Sequence, residues 1–170
     1  MGDPDDGDLD AFLVSRRAAL CRTAFLLCGN HDDAEDLVQS TLVKVILGWR
    51  RLHRLDNPDA YARQTMVKLY IASRRRRWHG EVAHEELPER PGSDHDLDLS
   101  IAVRGVLASL PAKQRAVLVL RIWEDLSVEA TATALGMREG TVRSHTSRAV
   151  AALRGALPHG LEELTERGRA

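Results

Sequence analysis

Apolar residues recur at helical spacing through most of the chain, and the strict alternation of a half-buried strand is nearly absent. The clearest stripe is Ala34, Leu37, Val38, Thr41, Leu42, Val45 and Trp49, which predicts a helix with one buried side. Before it, Phe12, Leu13, Leu20, Ala24 and Leu27 mark a first helix from about Leu9 to Leu27. Gly29-Asn30 is its stop signal, and Asp32 or Asp33 is the expected cap of the second helix. Asp32, Asp33, Glu35 and Asp36 crowd that helix start, where the helix dipole favours negative charge. Asn57-Pro58 opens a third helix, with Pro58 in its first turn. It continues through Tyr61, Val67 and Tyr70 to Arg74-Arg75-Arg76-Arg77-Trp78.

From Gly80 to Asp98 the periodicity stops, and Gly80, Pro88, Pro91, Gly92 and Ser93 sit among acids. A second helical unit follows. Ser100 is the expected cap of a helix holding Ile101, Val106 and Leu107, and Leu110-Pro111 restarts the chain into one with Val117, Leu118 and Ile122. A short helix, Val128 to Leu135, follows Ser127, ends at Gly136, and precedes a last helix from about Arg138 to Leu157. The expected fold is therefore all-α: two small helical domains, 9–79 and 99–157, joined by a flexible acidic linker, 80–98. Residues 1–8 read as a disordered acidic N-terminus, and 158–170 as a tail that frays.

Charge changes this picture. The chain's 170 residues carry a net −1, which by itself argues against a nucleic-acid partner. The charges are sorted, however. Residues 50–79 hold eight Arg and one Lys against two Asp, and 101–155 hold seven Arg and one Lys against four acids. Five Asp in 1–10, and seven acids against one Arg in 81–98, cancel both. Such blocks suggest basic faces flanked by acidic flexible segments. No apolar run approaches the ~20 residues that span a bilayer, and the acidic start has neither the charge nor the apolar core of a secretory signal. A cytoplasmic protein without membrane insertion is expected.

The segment Val128 to Ser147 carries the sharpest local signal, a helix-turn-helix. Such a motif needs a small residue where its helices touch, a glycine in the turn, and an apolar residue pinning the second helix. Ala132, Gly136 and Val142 fill those places, with Leu135 and Ala149 extending the seam. The opposite face then carries Arg138, Thr141, Arg143, Ser144 and Arg148, groups suited to phosphates and guanine edges. An ordinary helical hairpin with a solvated basic face is the alternative. Thr131 stands where an apolar residue would better fill the core, and is expected to bond back to its own helix.

With these motifs in view, the chain resembles a bacterial sigma factor of the extracytoplasmic-function type, in an actinobacterial subgroup. Asp33-Ala34-Glu35-Asp36-Leu37-Val38-Gln39-Ser40-Thr41 resembles the segment that binds the RNA polymerase clamp. Leu110-Pro111-Ala112-Lys113-Gln114-Arg115, Gly136 and Gly140-Thr141-Val142-Arg143-Ser144 resemble the promoter-reading second domain. The resemblance implies a specificity subunit that binds core RNA polymerase at its clamp and flap, reads promoter DNA, and helps open the −10 region. It also implies an anti-sigma partner and a monomer when free. Asp33, Asp36, Leu37, Gln39 and Thr41 match the polymerase-binding positions, with dipole stabilisation the alternative for the acids and plain core the alternative for Leu37.

For the −10 element, Leu55, Asp56 and Asn57 would form the base-capturing loop, with Tyr61, Arg63 and Gln64 beside it; Tyr61 is otherwise a half-buried core aromatic. Arg74, Arg75, Arg76 and Arg77, with Trp78, would bind DNA phosphates, although consecutive residues point around the helix. For the −35 element the matching residues are Arg121, Arg138, Glu139, Thr141, Arg143, Ser144 and Arg148. Glu139 departs from the family's usual small or apolar residue, and either accepts from cytosine or repels phosphate.

Other signals carry no chemistry. Cys21 and Cys28, with His31 nearby, lack the ligand number and spacing of a zinc site, so no metal is expected. His145 reads as a DNA-proximal or solvent residue. With no Walker loop, dinucleotide fingerprint or nucleophile elbow, no cofactor and no enzyme activity are expected. The competing reading is a response-regulator-like helix-turn-helix transcription factor, which would carry a sensor domain in place of the Asp33–Thr41 helix.

Overall fold

The computed structural model describes residues 4–52, 57–78, 99–157 and 159–168, and among them the regular structure is helical throughout. The first unit is α1 (Pro4–Cys28), α2 (His31–Leu52) and α3 (Pro58–Trp78). α1 begins before the expected Leu9, on a proline at a position where a helix needs no amide donor. It ends where Gly29 takes φ +84° and donates its N–H to the Phe25 carbonyl at 2.8 Å.

Asn30, rather than Asp32 or Asp33, caps α2. Its Oδ1 accepts the Asp33 N–H at 2.8 Å, because a short side chain directly after the glycine reaches the exposed amide three residues on. Asn57 caps α3 in the same way, accepting from the Ala60 N–H at 3.0 Å. The three helices run antiparallel. Phe12 meets Trp49 near the far end of α2, with ring centroids 5.3 Å apart, and Asp33 at the start of α2 meets Arg77 at the end of α3. The stripe on α2 is buried as its spacing predicts, with Leu52 added and Leu42 only half-buried.

The second unit is α4 (Ile101–Ser109), α5 (Ala112–Leu118) continuing into a π-helical turn (Val119–Trp123), α6 (Val128–Leu135), α7 (Glu139–Ala156) and α8 (Gly160–Gly168). Ser100 caps α4, its Oγ accepting from the Val103 N–H at 3.3 Å. Val103 and Leu107 set the inward face, so Ile101, two residues from Val103, points out and is 86% exposed instead of buried. The tail does not fray as expected. Leu164 of α8 is buried, and the Glu163 carboxylate accepts from the Ser100 N–H at 2.7 Å and from Ser100 Oγ at 3.0 Å. Acids in the first turn of α8 and the Leu161/Leu164 pair drive this docking.

The helix-turn-helix forms between α6 and α7. Ser127 caps α6, and Gly136 closes it at φ +62° with open space around its Cβ position, so its backbone conformation, not crowding, calls for glycine. Val117, Ala132 and Val142 form a small core there, packed by Val128, Leu135 and Met137. Thr131 is fully buried, and its Oγ1 has no hydrogen-bond partner among the described residues instead of bonding back to α6.

The two units are packed together: one contiguous apolar cluster runs from Leu20 of α1 to Leu164 of α8. The acidic linker lies outside the described residues. Because the Thr131 hydroxyl is buried without a partner, Thr131→Val should stabilise the protein by about 1 kcal/mol. Gly136→Ala, forced into the left-handed region, should destabilise it by about 1 kcal/mol. Urea unfolding followed by circular dichroism measures both.

Candidate nucleic-acid and partner interface

The second helix of the helix-turn-helix turns a polar face to solvent. Arg138, Glu139, Thr141, Arg143, Ser144 and Arg148 are all exposed, while Val142, Ala149 and Leu153 hold the opposite side of α7 to the core. Glu139 pairs with Arg143 one turn on, Nη2 to Oε2 at 2.8 Å, so its carboxylate is engaged within α7 rather than projecting alone. His145 is half-buried; burial and the nearby Arg148 and Lys113 charges push its pKa down, favouring the neutral ring. Arg121 departs from the expectation of a DNA contact. It is half-buried in the π-helical turn, its Nη1 donates to the Leu126 carbonyl, and its Nε is buried without a partner. The guanidinium braces the loop leading into α6.

The arginine run at the end of α3 divides as helical geometry requires. Arg77 forms a two-bond pair with Asp33, at 2.8 and 3.0 Å, and Arg74 lies over the Tyr70 ring at 5.7 Å. Arg75 and Arg76 are exposed. The Arg77 bonds, aided by Asn30, hold the Asp33 carboxyl at about 2, below its ordinary 3.8. A groove of about 150 Å³ between α2 and α3 is lined by Asp33, Asp36, Arg74, Arg76 and Arg77 above Cys28. Burial pushes the Cys28 thiol up to about 12, so it stays protonated. His31 stacks on Phe25 at 4.6 Å between centroids, and among the described residues no cluster of His, Cys, Asp or Glu could hold a metal ion.

On α2 the expected polymerase-binding residues separate. Asp36 and Gln39 are exposed, and Asp33 is tied to Arg77. Leu37 is buried, and Thr41 is completely buried with its hydroxyl donating to the Leu37 carbonyl at 2.7 Å. Both side chains belong to the bundle core, as their place in the apolar stripe requires, and are corrected from partner contacts to core. The exposed face instead continues from Asp36 and Gln39 to Val43, Ile46 and Leu47, the last 82% exposed. The sequence contained this signal, since Leu42-Val43 and Ile46-Leu47 supply more apolar residues than one buried stripe uses.

Sigma-70 region 2 matches residues 3–80, and Sigma-70 region 4 matches residues 100–153. This chain belongs to the sigma-70 family of sigma factors, in its extracytoplasmic-function branch. The RNA polymerase sigma-E factor of Streptomyces coelicolor is 39% identical over 153 residues, covering 88% of this chain and 86% of its own. The ECF RNA polymerase sigma factor SigE of Mycolicibacterium smegmatis is 34% identical, covering 80% of this chain and 56% of its own. Among solved structures, the sigma factor RpoE from Bartonella quintana, in complex with the anti-sigma factor NepR, superposes with a TM-score of 0.73 at 29% identity. That superposition covers 89% of this chain and 97% of the other, so the likeness spans both units. A region 2 occupies the place where a response-regulator-like factor would carry a sensor domain, which removes that reading.

In this sigma factor the residues expected near the −10 element are partly committed to internal contacts. Asn57 caps α3, and Tyr61 is half-buried against the core with its hydroxyl near Gly48. Arg63 Nε meets Glu124 Oε2 at 3.3 Å, and Gln64 Nε2 donates to the Thr133 carbonyl at 3.4 Å. Leu55 and Asp56 lie outside the described residues, as does the side chain of Trp78. Among the described residues no helix is long and apolar enough to cross a membrane.

The lowered Asp33 pKa implies a definite pH dependence. Its contribution to stability is complete above about pH 4 and is lost as pH falls toward about 2. Arg77→Ala should therefore flatten the stability profile between those limits, measured as the urea midpoint at each pH.

Proposed function

We propose that this sigma factor docks on the clamp of core RNA polymerase through the exposed face of α2, using Asp36, Gln39, Val43, Ile46 and Leu47. The second unit meets the flap and reads the −35 element with Arg138, Glu139, Thr141, Arg143, Ser144 and Arg148. Leu55, Asp56, Asn57, Tyr61, Arg63 and Gln64 serve the −10 element, and Arg75 and Arg76 bind phosphate beside it. Supporting this reading most strongly is the exposed polar face of α7, presented by an intact helix-turn-helix core. The protein acts in the cytoplasm as a specificity subunit with no catalysis of its own. An anti-sigma factor restrains it, as the partner in the RpoE complex suggests.

Reconstitution with core polymerase tests this directly. Run-off transcription from a genomic promoter pool should yield discrete starts, and their absence would overturn the reading. Arg143→Ala should cost about 1–3 kcal/mol of discrimination at one −35 position. Arg75→Ala with Arg76→Ala should weaken binding evenly across promoters and lower the salt slope by about 0.9 per lost phosphate contact.

A further inference from the structure

An arginine on an open helix surface has many rotamers, and reading a guanine edge needs its planar fork held in one orientation. Arg143 of α7 is such a residue: its side chain is 63% exposed, and its Nη2 donates to Glu139 Oε2 at 2.8 Å. Glu139 stands one turn earlier, in the first turn of α7, and an acid four residues before a base is the favourable order on a helix. Among the described residues, Arg138 and Arg148 on the same face have no carboxylate partner. Between Glu139 and Arg143, Val142 is fully buried against Val117 and Ala132, so the helix-turn-helix core fixes the backbone under the pair.

A carboxylate beside DNA repels the phosphates of every sequence, so Glu139 lowers sequence-independent affinity. Its gain is direction. The guanidinium has five N–H donors, and one bond to Glu139 leaves others for the O6 and N7 acceptors of guanine. Opposite a base without those acceptors, the held guanidinium gains nothing. A free one swings to the nearest phosphate and binds there regardless of sequence. Withholding that contact from the wrong partner is a source of specificity. A direct bond from a cytosine amino group to Glu139 would instead compete with Arg143 for the same carboxylate.

We infer that Glu139 is a positioning residue: by holding the Arg143 guanidinium, it sets base discrimination at the −35 position that Arg143 reads and lowers affinity for all sequences. The inference rests on the −35 reading of α7. The other role open to an acid in the first turn is stabilising the helix dipole, which needs a charge but no particular neighbour. Glutamine separates the two roles, because it keeps an oxygen that accepts from Arg143 and loses the charge.

The test uses holoenzyme reconstituted from the full chain and core polymerase, with promoter DNA randomised across the −35 element. Sequencing the bound fraction gives the base preference at each position, and filter binding to a duplex with a scrambled −35 element reads sequence-independent affinity. Arg143→Ala should flatten one position about tenfold. Glu139→Ala should flatten that same position about twofold and raise affinity for the scrambled duplex. The double variant should be no flatter there than Arg143→Ala alone, since the two residues act as one unit. Glu139→Gln should keep the wild-type preference while matching Glu139→Ala on the scrambled duplex. Melting followed by circular dichroism registers any loss at the helix start, which both Glu139 variants share. The inference is overturned if Glu139→Ala flattens a position other than that of Arg143, or leaves every preference unchanged. It is equally overturned if Glu139→Gln loses as much preference as Glu139→Ala. A wild type without preference at any randomised position would overturn the −35 assignment, and the inference with it.

Discussion

Burial of the Arg115 guanidinium ties the end of α1 to α5 across the seam between the two units. A buried cation has to be satisfied, and here the acceptor is a main-chain carbonyl at the end of α1 rather than a carboxylate. That carbonyl is available because the chain leaves α1 through a left-handed glycine, which also leaves room for the guanidinium. On the other side, fixing Arg115 fixes α5, whose Val117 anchors Ala132 and Val142 in the helix-turn-helix. A line of contacts therefore runs from the turn at Gly29, through one arginine, to the orientation of α7.

Charge does most of the sorting around this frame. The near-zero net charge conceals basic faces that are partly neutralised from within. Asp33 quiets Arg77, Glu124 quiets Arg63, and Glu139 restrains Arg143. Exposed Arg75, Arg76, Arg138 and Arg148 are among the cations of the two units that face outward. Arg–carboxylate pairs of this kind are weak at the surface. Their consequence lies in which cations still face outward and which are already committed within the chain.

Several elements were legible in the sequence because local chemistry decides them. Ser127, Gly136 and Ser100 end or begin helices through their own backbones and side chains, and the α2 stripe follows from spacing alone. Other positions were not. Thr41 was expected both in the apolar stripe and at a partner surface, and a residue cannot serve both faces of one helix; packing placed it inside. Arg121 resembled a DNA contact by motif, yet the π-helical turn directs it to the Leu126 carbonyl. α8 escaped notice because its short pattern gains stability only from the groove it covers.

By itself, the sequence determined seven helical stretches, the Ser100 and Ser127 caps, the helix-turn-helix and the segregation of charge, and it carried the motifs of a sigma factor. These depend on contacts within a few residues along the chain. Tertiary structure alone decided that the two units share one core, that Arg63 and Gln64 turn toward the second unit, and that the outer face of α2 runs through Val43 and Leu47. Those outcomes depend on which surfaces meet across long sequence separations. Apolar burial is non-directional, so spacing along the chain specifies which face is buried but not which partner buries it.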